Sequence, residues 1–145
     1  MESTPKKNPK ALTIIGWILT VLPALFLLTS GISLATKAPF VMENIVGKYT
    51  YTADTVPYIG IALILSVILY LVPRTAILGA ILLTGYLGGA TATHVIGHVS
   101  LDDPKLRIPE NQFIVPVIFG MIFWLALVLR IPALRALLPW RCPNK

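Results

Sequence analysis

The chain has 145 residues, 56% of them hydrophobic and 12% charged, with a mean hydropathy of +0.80 and a formal net charge of +6. A soluble domain of this size carries about twice that charged fraction. The composition excludes disorder, a collagen-like fibre and a disulfide-stapled secreted domain, and it disfavours a cytosolic enzyme, whose one small core cannot hide so many apolar side chains; an integral membrane protein remains.

Lys6, Lys7 and Lys10 precede the first run without Asp, Glu, Lys or Arg, Ala11–Leu34. Its apolar stretch exceeds the roughly 7–15 residues of a signal-peptide core, so it reads as a span rather than a cleaved leader, although Ser33-Leu34-Ala35 resembles a cleavage site. In the loop Ala35–Thr55, Pro39–Val46 is expected to form a short interfacial helix with Gly47 as its stop. Phe40, Val41, Ile45 and Val46 would lie on lipid while Glu43 and Asn44 face water. Lys48-Tyr49-Thr50-Tyr51-Thr52 alternates like a strand but has no clear partner.

Three more uncharged runs follow: Val56–Val72, Ala76–Val99 and Phe113–Leu129. A helix rises about 1.5 Å per residue and must cross roughly 30 Å of hydrocarbon. The first and third runs, of 24 residues each, are long enough; the second and fourth, of 17 each, stand at the short limit. None alternates as a barrel strand would. Pro73-Arg74-Thr75 is so short a link that spans two and three must be antiparallel neighbours. The third loop, Ser100–Gln112, is polar and contains Pro104 and Pro109. Beyond the last run, Pro132–Trp140 is amphipathic: Ala133, Leu134, Leu137 and Leu138 would touch lipid, and Arg130, Arg135 and Arg141 would meet anionic headgroups.

Orientation follows from the basic residues. Lys6, Lys7, Lys10, Arg74, Arg130, Arg135, Arg141 and Lys145 fall on one side with one acid, Glu2. Lys37, Lys48, Lys105 and Arg107 fall on the other with Glu43, Asp54, Asp102, Asp103 and Glu110. The bias puts both termini in the cytoplasm. The expected fold is therefore all-α: one membrane domain over residues 1–145, a four-helix bundle with spans at about 11–34, 56–72, 76–99 and 113–129, and a cytoplasmic tail at 130–145.

The third span carries the most information. Gly85, Gly88, Gly89, Ala92 and Thr93 recur at four-residue spacing, which lets helix backbones approach closely, so they are expected to pack against neighbouring helices. The alternative is room for a flat ligand beside the helix, and Tyr86 is the bulky polar side chain within this stretch. His94 and His98, at i and i+4, share one helix face, and Asp102 joins the stripe if the helix continues. Such a set admits a metal held by His94, His98 and Asp102, or a quinone or haem at His94, His98 and Tyr86. Counted from Ala76, His94 stands about 27 Å up and His98 about 33 Å up, too shallow for a midplane proton relay. Interfacial hydrogen bonding is the plainer role, and no resident cofactor is expected. The acids of the outer loops would either converge with the histidines as a polar pocket or stand apart as solvated loop charges.

No carboxylate or basic residue falls within the four runs, which argues against a proton-coupled transporter. No phosphate-binding Gly-Lys loop, nucleophile elbow or Cys-His pair is present. The single cysteine, Cys142, allows neither an intrachain disulfide nor a CxxC pair. The scattered basic residues form no nucleic-acid patch. The partners expected are the lipid bilayer and a membrane protein or a second copy. The compartment expected is a bacterial inner membrane, with which the lack of an Asn-x-Ser/Thr sequon is compatible.

Tyr58-Ile59-Gly60 opening span two, the Leu71-Val72-Pro73-Arg74-Thr75 turn, the run Ala76–His94 followed by Val95, and the Pro39–Tyr49 segment together resemble the DoxX-like family of small four-span membrane proteins, over about residues 12–130. The resemblance implies links as diverse as quinone-dependent sulfur oxidation, redox-stress complexes and receptor assembly. Two departures matter. Many relatives carry a glutamate near the span-two glycine, where this chain has Ile61, Ala62 and Leu63, and His98 is an additional histidine. The expected function is a non-enzymatic partner-binding or assembly component, and the alternative is a membrane subunit of a quinone-linked redox complex with its ligand near His94.

Overall fold

The computed structural model describes residues 9–48, 51–100 and 111–137. They form six helices: α1 (Pro9–Ala35), α2 (Pro39–Lys48), α3 (Val56–Leu71), α4 (Ala76–Ser100), α5 (Ile114–Arg130) and α6 (Pro132–Leu137). The described residues contain no strand. In the alternating stretch, Lys48 closes α2 and Tyr51 and Thr52 are irregular, while Tyr49 and Thr50 lie outside the described residues.

Local chemistry explains most boundaries. α1 ends because Lys37 adopts a left-handed conformation, φ 52°, and the Ala38 amide donates to the Ser33 carbonyl at 3.0 Å while the Lys37 amide donates to Leu34 at 3.2 Å. α3 stops at extended Val72, whose conformation is the one that following Pro73 favours. The same rule ends α5 at extended Ile131 before Pro132. Thr75 closes the short turn by donating its hydroxyl to the Leu69 carbonyl at 2.8 Å.

The four long helices pack in a ring. α1 lies against α3 and α5, and α4 lies against the same two. Tyr70, Phe123, Leu63, Leu83, Leu127 and Val67 fill the centre, and Phe26 of α1 stacks on Phe119 of α5 at 5.4 Å between centroids. A second, smaller cluster of Leu34, Val41 and Val56 ties α2 to the ends of α1 and α3.

Glycine sets the closest approaches. A Cβ at Gly60 would come 2.6 Å from the Gly31 carbonyl oxygen, so α1 and α3 cross backbone to backbone there. A Cβ at Gly79 would strike the Tyr70 backbone, so the start of α4 lies flush against the end of α3. Hydroxyls inside the ring are satisfied along their own helices: Thr20 donates to Gly16 at 2.8 Å and Ser66 to Ala62 at 2.7 Å.

The outside is as apolar as the inside. Met121 is 68% exposed and Leu22 66%, amid many more apolar side chains on the outward faces of α1, α3, α4 and α5. Water would not tolerate a continuous surface of that kind, whereas lipid tails do. Lys10–Ala35 and Ala76–Ile96 are long and apolar enough to cross a bilayer; Val56–Leu71 and Ile114–Arg130 are apolar but shorter.

Two expectations for the C-terminal region need correction. Arg130 does not reach for headgroups: it is only 7% exposed. Its Nη2 donates to the Tyr70 carbonyl at 3.0 Å, and its guanidinium lies 4.5 Å from the Trp17 ring centroid and 5.1 Å from that of Tyr70. The carbonyl end of α3 and two ring faces thus take the place of an acid as its electrostatic partners. Leu134 turns back onto the central cluster rather than outward, because α6 leaves α5 through the extended residue before Pro132.

Candidate functional site

At the other end of the ring, α2, the 51–55 segment, the first turns of α3 and the 85–94 stretch of α4 enclose a cavity of about 620 Å³. α2 supplies Phe40, Val41 and Ile45; α3 supplies Ile59; α4 supplies Gly85, Tyr86, Gly89, Ala90, Thr93 and His94. α2 folds over because Val41 is anchored on Leu34 and Val56, and the adjacent Phe40 joins the cavity lining. The size is that of a small-molecule site.

Among the described residues the walls are mostly apolar and carry no Asp, Glu, Lys or Arg. Polar atoms gather on one side. The Tyr51 hydroxyl lies 2.7 Å from Thr93 Oγ1, pinning the 51–55 segment to α4. Thr93 in turn donates to the Gly89 carbonyl at 2.9 Å. Tyr86 and His94, both half-buried, stand on the same face of α4, one two-turn step apart. Thr55, also in the lining, shares a 2.6 Å hydrogen bond with Thr52.

The expected packing role of the small residues is not what they do within this chain. A Cβ at Gly85, Gly88 or Gly89 would meet nothing within 4 Å, Ala92 is exposed, and Thr93 spends its hydroxyl on Gly89 and Tyr51. Gly85 and Gly89 instead form the cavity wall, and Gly88 and Ala92 face outward. The reason is geometric: α3 begins only at Val56, and the cavity occupies the space between its first turns and α4.

Of the candidate ligand residues, the structure brings His94 and Tyr86 together on the cavity wall. His98 continues α4, one turn beyond His94, but its side chain is outside the described residues, as is all of Asp102. Among the described residues no three His, Cys, Asp or Glu side chains are grouped to hold a metal. The described outer acids do not converge on the histidines. Asp54 is exposed and pairs with Lys37 at 3.3 Å, and Glu43 is exposed on α2. Asp103 and Glu110 lie outside the described residues.

Sequence reasoning missed Tyr51, Phe40, Ile45, Thr55 and Ile59 as cavity residues. The only signal was two tyrosines among threonines in a loop that has to pass over the end of the ring, and it read as a strand.

The helical ring and its apolar exterior define a membrane protein. The chain belongs to the DoxX-like family, whose model matches residues 18–126, the stretch from α1 into α5 that contains all the described lining residues of the cavity. No curated protein and no solved structure matches the chain.

Proposed function

We propose that this DoxX-like protein is a four-span bundle with both termini in the cytoplasm, and that it binds a lipophilic small molecule in the cavity beside His94 and Tyr86. The observation that carries the reading is the cavity itself: a space of about 620 Å³, apolar on most sides, with tyrosine, threonine and histidine converging on one wall. In this orientation the cavity lies in the outer half of the bilayer, a position a membrane-dissolved ligand reaches without crossing water. The basic bias across the loops supports the orientation. The role is binding rather than catalysis, in keeping with an assembly component. A membrane-protein partner or a second copy retains the outward face of α4, where Gly88 and Ala92 are exposed.

A second reading makes the cavity the quinone site of a redox subunit, with electrons supplied by a partner. The Tyr86 and His94 pair on one wall favours it, because both side chains can hydrogen-bond a ring oxygen.

The test is extraction of protein purified in nanodiscs, with mass spectrometry of small molecules and absorbance for haem or quinone. Wild type should retain a lipophile that Gly89→Leu loses while staying folded, since Gly89 lines the cavity and a Cβ there meets nothing within 4 Å. A preparation that stays empty after lipophiles are added, or a Gly89→Leu variant that retains them equally, sinks the cavity as a ligand site. A near-stoichiometric quinone lost in His94→Ala moves the function to the redox reading.

A further inference from the structure

The hydrogen-bond chain at the cavity wall has a direction. Gly89 O is a carbonyl and can only accept. Thr93 Oγ1 lies 2.9 Å from it and has a single proton, so that proton belongs to Gly89; the opposite arrangement would set two oxygens against each other with no hydrogen between them. The 2.7 Å contact between Thr93 Oγ1 and Tyr51 Oη then needs its proton from Tyr51. Tyr51 Oη is left with lone pairs alone for anything inside the cavity. Among the described residues no Asp, Glu, Lys or Arg side chain lines the wall to attract an ionic head, and the described surface is mostly hydrocarbon and ring.

Resting on the cavity as the ligand site, we infer that its ligand is a neutral lipophile that donates a hydroxyl or N–H hydrogen to Tyr51 Oη: an alcohol, phenol or amide-headed amphiphile, rather than one whose head only accepts. A head that only accepts would bring lone pairs against the Tyr51 lone pairs, lose that contact and have to turn to Tyr86 or His94 instead. The Tyr51–Thr93 pair is therefore a specificity element as well as the tie between the 51–55 segment and α4.

The test is a matched pair of probes, para-nonylphenol and its methyl ether, bound to the full chain in phosphatidylcholine nanodiscs by equilibrium dialysis, with empty nanodiscs as the partition control. The two differ in little except the donated proton. Wild type should bind the phenol about tenfold more tightly, the weight of one hydrogen bond. Tyr51→Phe should bring the ratio close to one. Thr93→Val, nearly the same shape, releases the Tyr51 proton, so the ether should gain affinity and the gap should narrow. Equal binding of the two probes to wild type, or a ratio unchanged in both variants, overturns the inference and leaves the cavity reading intact. Binding of neither probe above the empty nanodiscs overturns both.

Discussion

At one end of α4, Ala76, Gly79, Ala80 and Leu83 are buried in the ring. Farther along the same helix, Gly85, Gly88 and Gly89 have no neighbour within 4 Å of where a Cβ would stand. The residue types and the four-residue spacing are alike, and the outcomes are opposite. What separates them is the neighbour. The turn at 73–75 holds the end of α3 beside the start of α4, so Gly79 meets the Tyr70 backbone. Toward His94 the wall opposite is made by α2 and the 51–55 segment, which leave a space. Between helices in lipid the hydrophobic effect gives no drive, so close packing and polar contacts hold the first end, and its polar contacts are built accordingly. The Tyr70 hydroxyl donates to the Phe123 carbonyl at 2.7 Å, its ring meets Phe123 edge-on at 4.9 Å, and Arg130 closes the layer through the Tyr70 carbonyl and the Trp17 face.

Substitutions at the two ends should differ in size and in sign. The largest effect is expected from Gly79→Leu. The added side chain meets backbone, which cannot yield as a flexible side chain can, and the loss should exceed about 4 kcal/mol. Monodisperse folded protein after detergent extraction, at wild-type yield, would show that α3 and α4 are not so closely set. Arg130→Ala comes next. It removes a charged hydrogen bond to a carbonyl and two ring contacts from a buried position, and should cost about 2–3 kcal/mol in urea or thermal unfolding. A change below about 0.5 kcal/mol would mean the guanidinium lies outside the ring after all. The smallest and opposite effect is expected at Gly88→Ala. It adds a methyl to an exposed helical site and should stabilise by roughly 0.5–1 kcal/mol through the backbone alone. A destabilisation there would indicate that a partner or second copy packs against this face in the membrane.

Much of the fold was legible in the order of residues. Runs without charge mark where helices can lie in lipid, Pro73 and Pro132 mark where they must stop, and Pro39 marks where α2 starts. The end of α1 was less legible, because a lysine rather than a glycine takes the left-handed position there. At the candidate site, His94 and Tyr86 stood out as polar side chains in an apolar run, but Tyr51 did not, since a tyrosine in a polar loop looks ordinary until the loop is seen to lie over α4. Arg130 misled for a related reason. A basic residue at the end of an apolar run is normally a headgroup contact, and nothing local shows that Trp17 and Tyr70, far away in the chain, form a place for it.

By itself the sequence determined that the chain is helical and apolar enough for a membrane, and which family it joins, because these depend on composition, local spacing and short-range stops. Only the tertiary structure decided which glycines pack and which line a cavity, that Arg130 turns inward, and that Tyr51 meets Thr93, 42 residues away along the chain. Those outcomes depend on what stands opposite each residue, and an opposite neighbour is a property of how the helices are arranged.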